Sequence, residues 1–254
     1  MKTRNILIVI FILFVFMNVN TYSSTGRDVE VDCPLCDTVV SYWAQMSYSI
    51  FTYGLDLKPL GAARIPQPIP RCEKCGFVFI EDYFTDEEIL KLKNHIINKN
   101  IFSGIENFPK YYYLGRELEL LDNDRHDDLV YFYICAVWEY SFNKMAVEYF
   151  KEKNIENVQG IQFDNTMYLF LMQNAVEKIN TLNRDYEEYD NLQLIKLDFL
   201  RRQGLFDEAK KIIENIKNNR DFYQDFIVDL IAYQIELIDK KDTEEHSFDE
   251  FMKE

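Results

Sequence analysis

Two short cysteine pairs, Cys33-Pro-Leu-Cys36 and Cys72-Glu-Lys-Cys75, constrain this chain more than any other feature. Each pair sets two sulfurs on one side of a tight turn, and two such turns supply the four thiolates that zinc takes in a tetrahedron. The 35 residues between the pairs exceed compact zinc-finger spacing but suit a ribbon with an insertion. Gly76 follows the second pair; backbone N–H groups must turn toward the sulfurs there, and Gly tolerates the positive φ this requires. A shell closed by Cys33, Cys36, Cys72 and Cys75 leaves no position for water or substrate, so the expected ion is a structural zinc. Two competing readings use the same residues. The four thiols can pair as disulfides in any of three connectivities, or Cys33 and Cys36 can work as a thiol–disulfide oxidoreductase, since Cys-Pro-x-Cys also occurs where a helix N-terminus stabilises a thiolate. The run that follows, Asp37-Thr-Val-Val-Ser-Tyr-Trp43, reads as a strand and not as a helix start, which weighs against the redox reading. The fifth cysteine, Cys135, lies in the apolar run Tyr131–Trp138 and is expected in the core.

Residues 1–25 read as a signal peptide. Lys2 and Arg4 precede an unbroken apolar run of 12 residues, Ile6 to Met17, and a small polar stretch from Thr21 to Thr25 permits cleavage after Ser23 or Thr25. Twelve helical residues rise roughly 18 Å, short of a hydrocarbon core of about 30 Å. The expected location is therefore outside the cytoplasm, periplasmic or extracellular, with an uncleaved membrane tether as the alternative. Export matters for the cysteines, because oxidising compartments favour disulfides over free thiolates.

A change of character near residue 84 divides the rest. Residues 26–84 read as a small β module around the cysteine pairs. Val39 to Tyr53 is dense in β-branched and aromatic residues, and Ile65-Pro-Gln-Pro-Ile-Pro70 predicts an extended arm leading to the second pair. Residues 85–240 carry helical periodicity. Thr85-Asp-Glu-Glu88 is a capping-box pattern, Pro109 sits where a first helical residue would, and Asp122 to Asp128 reads as a solvated loop before a long aromatic helix to Glu152 with a possible break at Ser141 to Asn143. Asp164 caps a further stripe of Met167, Leu171, Ala175, Ile179 and Leu182. A last helix carries Phe222, Phe226, Leu230, Tyr233 and Leu237, and residues 241–254 are left as a mobile acidic tail.

The clearest unit is Asn191 to Ile216, a helical hairpin in which Gly204 ends the first helix and the small Ala209 allows close approach. Gly204, Phe206, Glu208 and Ala209 match the core of a tetratricopeptide repeat. The fold class is thus mainly α, α+β overall: a small N-terminal zinc ribbon-like module followed by a tetratricopeptide-like array. Together, Cys33-Pro-Leu-Cys36, Gly54-Leu-Asp-Leu-Lys-Pro59, Cys72-Glu-Lys-Cys75-Gly-Phe77, Ala136-Val-Trp138 and Leu200-Arg-Arg-Gln-Gly204 with Glu208-Ala209 resemble the bacterial domain of unknown function family 2225 over roughly residues 31–217. The resemblance implies a metal-binding module followed by tetratricopeptide-like helices, with no established activity.

The remaining features exclude more than they assign. Lys and Arg total 28 against 43 Asp and Glu, a net charge of −15 with no basic stripe, which opposes binding to a phosphate backbone. The three His, at 95, 126 and 246, share no ligand spacing, and Asp122 to Asp128 lacks the Gly and terminal Glu of a calcium loop. No phosphate loop, nucleophile elbow or His-Glu-x-x-His motif occurs. The expected function is a non-enzymatic scaffold whose partner is another protein or peptide, a basic one being favoured by the chain's acidity.

Overall fold

Each cysteine pair closes a β-turn at the base of a short extended segment, and the helices follow where the 3.6-residue period takes over. The computed structural model describes residues 25–62, 64–99, 108–121, 125–153, 163–183, 185–186, 188–217 and 225–252. The apolar run of the leader and Phe222 lie outside the described residues. Strands β1 (Thr25–Asp32) and β2 (Val39–Ser47) pair antiparallel, with Thr25 opposite Ser47 and Asp32 opposite Val39. A second ribbon joins β3 (Ile50–Tyr53) to β4 (Pro59–Gly61). The proline arm forms no strand; it runs extended into the Cys72 turn through a cis Ile65–Pro66 bond.

Eight helices follow among the described residues: α1 (Asp86–Lys99), α2 (Lys110–Glu119), α3 (His126–Glu152), α4 (Asn165–Ile179), α5 (Tyr189–Arg202), α6 (Phe206–Lys217), α7 (Asp225–Asp239) and the single turn α8 (Phe248–Phe251). From α2 to α7 each helix packs on the next in the chain, so the molecule is mainly α with a small β region at its N-terminal side. The capping box forms: Thr85 N–H donates to Glu88 Oε2 (2.9 Å) and Glu88 N–H to Thr85 Oγ1 (3.3 Å). Thr85→Ala should cost about 1 kcal/mol in urea unfolding at neutral pH. Burial raises the Glu88 pKa, but Arg125 and the Thr85 groups outweigh it and hold it near 2, below its ordinary 4.5. A depressed folded-state pKa stabilises above the unfolded value, so this contribution should fade as pH falls from 4.5 toward 2.

Three details differ from expectation. Helix α3 starts at His126, taking Asp127 and Asp128 into its first turn, where carboxylates favour the helix dipole. It also runs unbroken through Ser141, whose hydroxyl donates to Trp138 O within the helix (2.8 Å) and is satisfied there. Pro109 stands one residue before α2 rather than inside it.

Gly204 ends α5 at φ +74°. Its N–H donates to Arg201 O (2.9 Å), and Leu205 N–H donates to Leu200 O (2.9 Å), the two bonds of a Schellman turn. No atom would touch an added Cβ at this position, so Gly204→Ala isolates backbone strain and should lower stability by about 1 kcal/mol in thermal or urea melts.

The β module docks on the array through aromatic rings. Phe77 stacks on Phe79 (5.6 Å between centroids) and meets Phe84 (5.7 Å), while Tyr83 meets Phe132 of α3 edge-on (5.4 Å). Arg71 lies over the Tyr113 ring of α2 at 4.4 Å. Cys135 is fully buried in α3, as expected. The acidic tail is not loose: a second left-handed turn at Lys241 (φ 54°), with Asp242 N–H donating to Leu237 O (2.9 Å), sends residues 242–252 back over the helices. The cause is electrostatic: Asp242 and Glu245 answer the buried cations of Arg201, Arg202 and Lys58.

Candidate metal centre

The four paired cysteines converge. Cys33 N–H donates to Thr38 O (2.9 Å) and Asp37 N–H to Cys33 O (2.9 Å); Cys72 N–H donates to Phe77 O (2.8 Å) and Gly76 N–H to Cys72 O (2.8 Å). The two turns are thus built alike, residue for residue. The position after each pair adopts positive φ, Asp37 at 55° and Gly76 at 80°. Only Gly76 was legible as such; Asp37 reaches the same conformation because Asp tolerates the left-handed region better than most side chains.

Facing one another, the turns place Cys33 Sγ 3.6 Å from Cys75 Sγ and Cys36 Sγ 3.5 Å from Cys72 Sγ. All four sulfurs lie within 4.8 Å of one another, and among the described residues they are the one cluster of metal-ligating side chains. None is joined as a disulfide, a bond that would need about 2.05 Å. Cys33 and Cys72 are fully buried, whereas Cys36 and Cys75 are partly exposed.

Burial pushes the Cys33 thiol up to about 11 and raises Cys75 further. Burial also acts upward on Cys36, but the Thr38 hydroxyl and backbone N–H, then Cys72 and Cys33, hold it down at about 6. The set is thus a closed group of four sulfurs, which could hold a metal ion. The histidines stay out of it. His95 is half-buried on α1, His126 begins α3, and His246 lies between Asp242 (3.2 Å) and Glu250 (2.6 Å).

A second constellation carries no metal signature. Asp56, Lys58, Ser141, Asp198, Arg201, Arg202 and Gln234 are all buried in one polar cluster. Asp56 Oδ2 accepts from Trp138 Nε1 (3.1 Å) and Arg202 Nη1 (3.2 Å). Asp198 accepts from Arg201 Nη2 (2.8 Å), Arg202 Nη1 (3.3 Å) and Gln234 Nε2 (3.2 Å). Lys58 donates to Ser141 Oγ (2.9 Å) and pairs with Glu245, which also receives Arg202 (3.4 Å). Arg201, with no exposed surface, donates to the carbonyls of Asp242 and Glu244 (2.8 Å each). Burial pushes Asp198 up to about 6; Arg201 opposes this and the facing Asp56 carboxylate adds to it. The cluster fastens the β module, α3, α5, α7 and the returning tail together. Two of its segments, Gly54–Pro59 and Leu200–Gly204, belong to the resembling motifs, but nothing in their local pattern assigns their charges a partner.

Between α3 and α5 lies a cleft of about 230 Å³, lined by Leu57, Val130, Ile134, Trp138, Leu192 and Ile195 together with the exposed carboxylates of Asp127 and Glu188. Among the described residues no helix is long and apolar enough to cross a membrane.

Fold and site together define a class: a mainly α chain whose N-terminal β module carries a four-thiol cluster. Comparison with family models, with curated proteins and with solved structures finds no match.

Proposed function

We propose that Cys33, Cys36, Cys72 and Cys75 hold one structural zinc ion and that the chain is a non-enzymatic scaffold for another protein. The carrying observation is the shared cluster of four sulfurs from two like-built turns. A tetrahedral ion with zinc–sulfur bonds of about 2.3 Å separates its sulfurs by roughly 3.8 Å, close to the 3.5 and 3.6 Å between the turns. Four thiolates fill the shell, so zinc here would clamp the module rather than activate water. This reading accords with the resemblance to domain of unknown function family 2225, which we retain as a proposal.

The partner would be a basic protein segment. The cleft between α3 and α5 offers an apolar slot beside Asp127 and Glu188, suited to an apolar side chain flanked by Lys or Arg. Export places this scaffold outside the cytoplasm, and burial of the cluster's inner sulfurs would protect its thiolates there.

The alternative to the zinc reading, the oxidoreductase, needs its thiolate at Cys33, the first of the pair, but burial raises Cys33 and the lowered pKa falls on Cys36. The two separate in a disulfide-reduction assay. The zinc reading predicts no turnover by the full chain, and loss of the module's tertiary signal when a chelator strips the metal. A metal-free chain that cycles Cys33–Cys36 and reduces the test disulfide would overturn it.

A further inference from the structure

The stretch from Thr38 to Leu55 contains no charged residue, although 28% of the chain is charged. Within it, Trp43 (39% exposed), Met46 (58%), Tyr48 (45%), Ile50 (37%) and Phe51 (49%) stand out at the turn that leads from β2 into β3. Single exposed apolar side chains are ordinary. Five of the nine residues from Trp43 to Phe51 make a patch of the kind that marks an interaction surface.

The position of this patch specifies its occupant. Thr25, the first described residue, lies opposite Ser47 in the sheet, and their hydroxyl oxygens are 2.6 Å apart. The chain N-terminal to Thr25 therefore joins the molecule at the patch. That part of the chain holds the 12-residue apolar run ending at Met17 and the basic Lys2 and Arg4. Seven residues lie between Met17 and Thr25, and the eight steps from one to the other reach at most about 28 Å. Any membrane that holds the apolar run thus lies within reach of the patch. Trp and Tyr favour the bilayer interface, where the ring is in apolar surroundings and the polar edge stays wet. The charge-free stretch avoids the cost of desolvating ions there; Glu30 and Asp32 of β1 lie toward the cysteine turns, while the exposed Arg27 and Asp28, opposite Ala44 and Trp43, mark the wet edge of the patch.

We propose that the apolar N-terminal segment stays attached and that the turn from Trp43 to Phe51 seats in the interface of the same bilayer. The tether and the patch are then two contacts with one membrane, and two weak contacts hold a chain better than either alone. With a net charge of −15, the protein should seat on zwitterionic lipid rather than on an anionic surface.

The test uses the full chain. Its two Trp are Trp43 and Trp138, and residues 1–24 contain none, so the difference between the chain and Trp43→Phe isolates a reporter at the patch. In phosphatidylcholine vesicles with brominated acyl chains, Trp43 should lose most of its emission and be shielded from acrylamide. Met46→Asp with Phe51→Asp should reverse both effects while the chain still floats with the vesicles through its N-terminal segment. Trp43 that is open to acrylamide and unaffected by brominated lipid would overturn the proposal. Trp43 shielded from both quenchers in a chain that cross-links to a second copy through residues 43–51 would also overturn it, assigning the patch to self-association.

Discussion

Cys72→Ser is expected to abolish metal binding and unfold the N-terminal module, taking bound metal from about one ion per chain to nearly none. The apparent binding energy of a four-ligand structural zinc site is on the order of 10–16 kcal/mol, far more than a module of this size draws from its own small core. Cys72 is fully buried and its N–H and carbonyl both close the second turn, so loss of its thiolate breaks the shell at its interior side. The helices should persist, because α2 to α7 pack on one another independently of the sulfurs. The readouts are metal content, proteolysis between residues 33 and 80, and a largely retained helical signal. Cys135→Ser is the control. It places a hydroxyl in an apolar helix at a cost of about 1–3 kcal/mol, yet it should leave metal content unchanged. A Cys72→Ser chain that keeps its metal would show that the ligand set is wrong.

The second large effect is expected at Arg201. Arg201→Ala removes four hydrogen bonds, to Asp198, Gln234 and the carbonyls of Asp242 and Glu244, from a position with no exposed surface. Breaking a buried pair costs about 3–5 kcal/mol when the remaining charge is left alone; Asp198 keeps Arg202 (3.3 Å) and Gln234 (3.2 Å), which puts the expected loss at the lower end, about 3 kcal/mol. Urea unfolding should report that loss, and residues 242–252 should become cleavable because their anchor is gone. Replacing both members, Arg201→Met with Asp198→Leu, should recover part of the stability, since no buried charge is then left alone. Recovery of stability without protection of the tail would separate the two roles of Arg201, in the core and as clasp.

Much of this was legible in the sequence because it depends on local chemistry. The cysteine spacing gives the turns, Gly76 the second turn's left-handed residue, Thr85 with Glu88 the start of α1, and Gly204 the end of α5. Each is fixed within a few residues. What stayed hidden depends on long-range pairing. Asp56 meets Arg202 and Lys58 meets Glu245 across most of the chain, and nothing in the local pattern of either links them. The tail from Asp242 read as mobile because its charges suggest solvent, whereas Arg201, Arg202 and Lys58 draw it inward. Arg201-Arg202 inside an otherwise apolar stripe was the available signal: two cations on a buried helix face require acids from somewhere. Likewise, the break imagined at Ser141 failed because Ser can satisfy its hydroxyl on the preceding turn of its own helix.

The central claim, one metal held by four thiolates, is tested most directly by measuring zinc and reactive thiols together on the purified full chain. The account predicts about one zinc per chain, with Cys33, Cys36, Cys72 and Cys75 unreactive until a chelator is added and then all four labelled. A chain free of zinc whose intact mass and peptide map show these cysteines joined as two disulfides would contradict it.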